Sequence, residues 1–215
     1  LHPDTIASLF ADDTATWLRD GIIRGSSRTL AQEEVQKIAD WAEQWKMTIN
    51  SDKTRTMVTS SAESDLTWDP SLKIDGTKIK NVKYYKFLGV TINNNLRFTT
   101  HINAIISKCR KRIKILKCLA TKSWGCSLET QRRLYIQYIR SVIEYASSSW
   151  HGWICKTHIG RLQSLQNEAM RAISGLTKTC PQDFLHLETN LDPIATRLAK
   201  NDQILWDKYE RLPTN

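Results

Sequence analysis

The stretch Ser8-Leu9-Phe10-Ala11-Asp12-Asp13-Thr14-Ala15-Thr16-Trp17 ("SLFADDTATW") sets two adjacent carboxylates in a short apolar run with no basic residue beside them. The flanking runs, residues 5–10 (TIASLF) and 14–18 (TATWL), are β-tolerant, so the pattern predicts a tight hairpin with Asp12 and Asp13 at its tip. Two physical readings of the pair compete. Asp is common in turns because its carboxylate accepts local backbone hydrogen bonds. Alternatively, neighbouring like charges repel unless a cation compensates them, and a hard divalent cation takes one or two carboxylates with waters and phosphate oxygens. The pair alone does not separate the two.

Outward from the hairpin, Arg24-Gly25-Ser26-Ser27 interrupts the pattern, and Thr29 is expected to open a helix with Gln32 as its capping-box partner. Leu30, Glu34, Ile38, Trp41 and Trp45 follow at helical spacing, and the two tryptophans, four apart on one face, are expected to pack against a sheet. Residues 47–49 and 56–58 are expected as strands, and 60–71 as a loop. Asp75-Gly76 and the span from Tyr84 to Ile92 suggest two further hairpins. From His101 the periodicity becomes helical: Ile102, Ile105, Ile106, Cys109, Ile113 and Leu116, then Leu134, Tyr138 and Val142 with Tyr135, Ile139 and Ile143. A third helix follows from Ile159 to Ile173, stopped at Gly175, and a fourth covers about 192–209. The expected class is α+β: a mixed part over 1–99, a helical part over 100–190 and a terminal helix or connector over 191–215.

The net charge of +9 is placed unevenly. Residues 1–100 carry 13 basic and 13 acidic side chains, and residues 101–215 carry 18 and 9. Lys108, Arg110, Lys111, Arg112, Lys114 and Lys117 crowd one helical segment without an acid, a pattern suited to phosphate contacts that position a nucleic acid without reading its sequence. No run of eighteen apolar residues argues for a membrane span. The five cysteines lack CxxC spacing, which fits reduced thiols in the nucleus or cytoplasm and argues against secretion. His151, Cys155 and His158 could suggest zinc, but only three candidate ligands lie close, and a structural role is expected.

Phe10-Ala11-Asp12-Asp13 between two β-like runs resembles the palm metal motif of reverse transcriptases. Trp41 and Trp45, then Asn50 with Lys53-Thr54, then Tyr85-Lys86-Phe87-Leu88-Gly89-Val90 arrive in the order found in the non-LTR, LINE-type, jockey-like class. Leu134-Tyr135, Ile143-Glu144-Tyr145-Ala146-Ser147, Trp150, Leu165-Gln166 and Gly175-Leu176-Thr177-Lys178 resemble its thumb. The resemblance implies the later half of a palm followed by a helical thumb, taken from an RNA-directed DNA polymerase. It implies Asp12 as a ligand of catalytic Mg²⁺ or Mn²⁺, Asp13 as its support and Lys53 as general acid toward pyrophosphate, although an ordinary strand-end lysine would read the same. Phe87, Leu88 and Gly89 would form the primer grip, although an ordinary hairpin glycine would also suit.

The implied partners are an RNA template, a DNA primer, dNTPs and the upstream palm and fingers of the same polyprotein, with no membrane and the oligomeric state left open. A further metal-binding Asp is expected upstream of residue 1, so the isolated chain is expected to lack polymerase activity. The alternative is a degenerate or repurposed remnant that binds nucleic acid without catalysis.

Overall fold

A computed structural model describes residues 5–18, 24–120 and 125–212. The chain packs as two compact units that part between Tyr85 and Lys86.

In the first unit, β1 (Thr5–Phe10) pairs antiparallel with β2 (Asp13–Leu18), with Phe10 opposite Asp13. This is the expected hairpin. Helix α1 (Arg24–Gln44) follows, then β3 (Arg55–Thr56), β4 (Lys73–Ile74), β5 (Thr77–Lys78) and β6 (Lys80–Asn81). β3 and β6 pair in parallel; β4 and β5 form a hairpin across Asp75-Gly76, both at positive φ (49° and 77°), as a two-residue primed turn requires.

Three expectations are corrected here. The helix is already under way at Arg24, so Thr29 and Gln32 are not its capping box. The Gln32 side chain instead donates to the Lys73 carbonyl at 2.8 Å and accepts from the Lys73 amide at 2.9 Å, pairing with the β4 backbone as a strand would. The tryptophans do not pack inward: Trp41 is 50% and Trp45 64% exposed. The inward stripe is Ala31, Glu34, Val35, Ile38 and Ala42; it keeps Glu34 and Ile38 of the expected face and puts Ala42 where the tryptophans were expected. Lastly, residues 47–50 hold no regular structure, and only Arg55–Thr56 of that region is strand. The unit's small core is Leu72, Ile74 and Ile79, flanked by Ala31, Val35 and Ile49.

The hairpin β7 (Tyr84–Phe87) and β8 (Val90–Asn93), within which the units part, leads into α2 (Thr99–Leu119). Packing divides the chain before the 99/100 change of sequence character, because Val90 and Phe98 join the helical core and Ile92 packs against it. A long helix then runs through α3 (Leu128–Leu134), a π-helical turn over Tyr135–Arg140 and α4 (Ser141–Glu144). Its buried residues, Gln131, Tyr135, Ile139 and Ile143, recur every fourth position. On an α-helix that spacing drifts by about 40° per step. The wider π turn absorbs the drift and keeps one face on the core.

α5 (Lys156–Ser174) ends at left-handed Gly175 (φ 70°), and α6 (Gln182–Thr189) and α7 (Ile194–Glu210) follow. α2, α5 and the π-containing helix enclose a core that includes Ile102, Cys109, Ile113, Tyr135, Ile139, Trp150, Leu162 and Met170. Tyr135 donates to Gln166 Oε1 at 2.7 Å, and burial drives its hydroxyl pKa far up. The class is α+β. Among the described residues no helix is long and apolar enough to cross a membrane.

Candidate functional site

Ala11 and Asp12 form the two-residue loop of the first hairpin, and Ala11 takes a positive φ of 53°, which primed hairpin turns demand at their first position. Asp12 and Asp13 are both exposed at this tip. Two exposed carboxylates on consecutive residues can offer hard oxygen donors to a cation that keeps most of its waters. Among the described residues no group of three or more His, Cys, Asp or Glu side chains converges on a metal position. Lys53 lies elsewhere in the same unit, exposed, in a turn where its amide donates to the carbonyl (3.2 Å) and side-chain oxygen (3.1 Å) of Asn50. Thr54 donates through its hydroxyl to the same carbonyl at 2.8 Å. Asn50 therefore caps the turn with its side chain and fixes the lysine's backbone.

Leu88 and Gly89 occupy the turn of the β7–β8 hairpin with φ of 45° and 84°. Positive φ at both centres is the geometry of a type I′ turn, unfavourable for a leucine. Tyr145 holds it: its hydroxyl donates to the Leu88 carbonyl at 2.9 Å, and its ring lies 3.1 Å from where a Cβ on Gly89 would stand. The neighbours of Tyr145 are equally occupied. Glu144 accepts from Arg197 on α7 at 2.6 Å and pairs with Arg140 at 3.2 Å. Ser147 accepts from Asn201 at 3.3 Å, and buried Trp150 donates to the Tyr145 carbonyl at 3.3 Å. The run Glu144–Trp150 thus ties the turn, α7 and the core together. Its motif-like look has a packing explanation that helical periodicity does not disclose.

The six bases on α2 do not behave alike. Lys108, Arg110, Lys111 and Lys114 are exposed. Arg112 stacks its guanidinium 4.2 Å over the Tyr138 ring and donates to the Tyr138 carbonyl, bracing the π turn. Lys117 pairs with Glu168 of α5 at 2.5 Å. The expectation of six bases fanned around one free face is corrected in these two. Sequence reasoning also missed Arg161 of α5, which reaches Asn103 of α2 at 2.8 Å. Fifty-eight residues separate that pair, and no local pattern links them.

His151, Cys155 and His158 have other surroundings. His151 Nδ1 meets Asp202 at 2.5 Å, and His158 sits between Thr99 (3.3 Å) and Arg161 (3.4 Å). Burial and the Arg161 charge hold the His158 pKa below its ordinary value.

No family model matches the chain, and no solved structure matches it. Curated proteins do. A probable RNA-directed DNA polymerase from transposon BS of Drosophila melanogaster is 26% identical over 207 residues, 96% of this chain and 22% of its own. That of the X-element from the same fly is 24% identical over 98% of this chain and 23% of its own. The RNA-directed DNA polymerase from mobile element jockey of Drosophila funebris is 27% identical over 80% of this chain and 18% of its own. The chain thus spans about a fifth of the length of these relatives. Over most of its length the chain is homologous to one segment of the RNA-directed DNA polymerases of jockey-like non-LTR retrotransposons.

Proposed function

We propose that the chain supplies the later palm (1–99), the thumb (100–190) and a terminal helix or connector (191–215) of a retrotransposon reverse transcriptase that extends a DNA primer on an RNA template. The observation that carries this reading is the homology across 96% of the chain, with Asp12 and Asp13 exposed at the tip of the first hairpin. Asp12 holds a divalent cation, Mg²⁺ or Mn²⁺, and Asp13 supports it. The cation, when bound, supplies activation of the primer 3′-hydroxyl and charge neutralisation on the dNTP triphosphate. Lys53 donates a proton to the leaving pyrophosphate. The Phe87-Leu88-Gly89 turn supports the primer terminus. The exposed α2 bases Lys108, Arg110, Lys111 and Lys114 meet backbone phosphates, and the partner segments are the upstream palm and fingers of the same polyprotein.

Mn²⁺ titrated into the isotope-labelled chain tests the metal role without requiring activity. Paramagnetic broadening is expected first at the amides of residues 11–13 and is expected to vanish in Asp12→Asn. Broadening spread evenly over all acidic residues would contradict the metal role and leave the non-catalytic, nucleic-acid-binding remnant as the better reading.

A further inference from the structure

Three of the four exposed α2 bases, Arg110, Lys111 and Lys114, border a shallow, open depression. Asn103, Ser107, Arg110 and Lys114 stand at steps of four, three and four along α2, so they form one stripe beside its buried face. With Lys111, and with Arg161 from α5, they line a hollow of about 430 Å³ between two helices whose packing builds the core. Four of its lining side chains are cationic and none is acidic. Glu168, an acid on the same α5, is engaged by Lys117.

Arg161 is oriented before any ligand arrives. One guanidinium nitrogen donates to Asn103 at 2.8 Å and another faces His158 Nδ1 at 3.4 Å. A guanidinium already fixed in direction loses less rotamer freedom on binding and presents its remaining N–H groups as a fork. A concave, acid-free surface with several cations suits a tetrahedral oxyanion carried on a chain rather than an apolar or cationic ligand.

We propose that this hollow is a phosphate subsite built from both helices, in which Arg161 acts together with Arg110, Lys111 and Lys114, and that its ligand is the phosphodiester backbone of a nucleic-acid strand. The proposal rests on the nucleic-acid reading above and adds to it a second helix, a specific residue and a location.

The test compares salt dependence among variants of the full 215-residue chain, using fluorescence anisotropy with a labelled RNA–DNA template–primer. Removing one phosphate-neutralising side chain lowers the slope of log K against log salt by about one. Arg161→Gln and Lys114→Gln are each expected to show that reduction, with about tenfold weaker binding at low salt. Lys208→Gln, which removes a charge from α7, is expected to keep the parent slope. Arg161→Lys keeps the charge but not the fork, so it is expected to keep the slope and bind more weakly; it also serves should Arg161→Gln fail to fold. A parent slope in Arg161→Gln, with a reduced slope in Lys114→Gln, would overturn the two-helix subsite while leaving the nucleic-acid reading standing. No binding by the parent chain would overturn the reading beneath it. Inorganic phosphate in place of chloride at equal ionic strength competes for the same oxyanion site, so it is expected to weaken nucleic-acid binding by the parent more than by Arg161→Gln; equal weakening of both would overturn the subsite.

Discussion

The Tyr145 hydroxyl donates to the Leu88 carbonyl at 2.9 Å, and its ring closes over Gly89 so that a methyl there would stand 3.1 Å away. One side chain thereby stabilises a turn in which Leu88 takes a conformation it does not favour. Tyr145→Phe is expected to cost about 1 kcal/mol through removal of the hydrogen bond. Gly89→Ala is expected to cost roughly 1–3 kcal/mol from its backbone alone, and more from the ring contact. Urea denaturation of Gly89→Ala/Tyr145→Ala should therefore show a total smaller than the sum of the single changes. Additive costs would mean that ring and turn are not coupled.

Glu144 lies half-buried between the guanidinium groups of Arg197 and Arg140, and it raises the pKa of Arg197 through their hydrogen bond. Glu144→Gln leaves two cations facing a neutral amide, with an expected cost of about 2 kcal/mol. The effect should be local: hydrogen exchange of α7 amides accelerates more than that of α2. Equal acceleration in both helices would contradict a role in docking α7.

His101 is buried in the helical unit, its Nδ1 accepts from the Thr91 amide at 3.3 Å and its ring meets Trp150 edge-on at 5.7 Å. Burial, and next the charge of Lys86, lower its pKa from the ordinary 6.5. A depressed histidine means that the unfolded chain binds a proton the folded chain refuses. Its contribution to stability is therefore complete above about pH 6.5 and is lost as pH falls toward and through the lowered folded value. His158 shifts in the same direction. The urea midpoint should fall between about pH 7.5 and about pH 5, and His101→Gln should flatten part of that fall. An unchanged pH dependence in the variant would rule out His101 as a source.

Much of the helical unit is legible in sequence, because the stripes of α2 and α5 repeat at helical spacing and Gly175 marks a stop. The hairpin around Asp12 is legible for the same reason, through its short β-tolerant runs. The π turn is not, since both Leu134-Tyr138-Val142 and Tyr135-Ile139-Ile143 are plausible faces and only packing selects the second. Trp41 and Trp45 mislead for a related cause: a stripe tells which residues share a face, and size does not decide which face is inward. The bases on α2 show the other limit. Their charge is plain, but the partners that engage two of them, Tyr138 and Glu168, lie 26 and 51 residues away on other helices.

Binding of the 215-residue chain to a labelled RNA–DNA template–primer, measured across roughly 50 to 300 mM salt, where counterion release is steep, tests the central claim most directly. The account predicts binding at low salt that falls linearly in log–log form with a slope of several units, and weakens sharply when Arg110, Lys111 and Lys114 are changed to Gln together. No binding at low salt, or an affinity indifferent to salt and to those three residues, would contradict it.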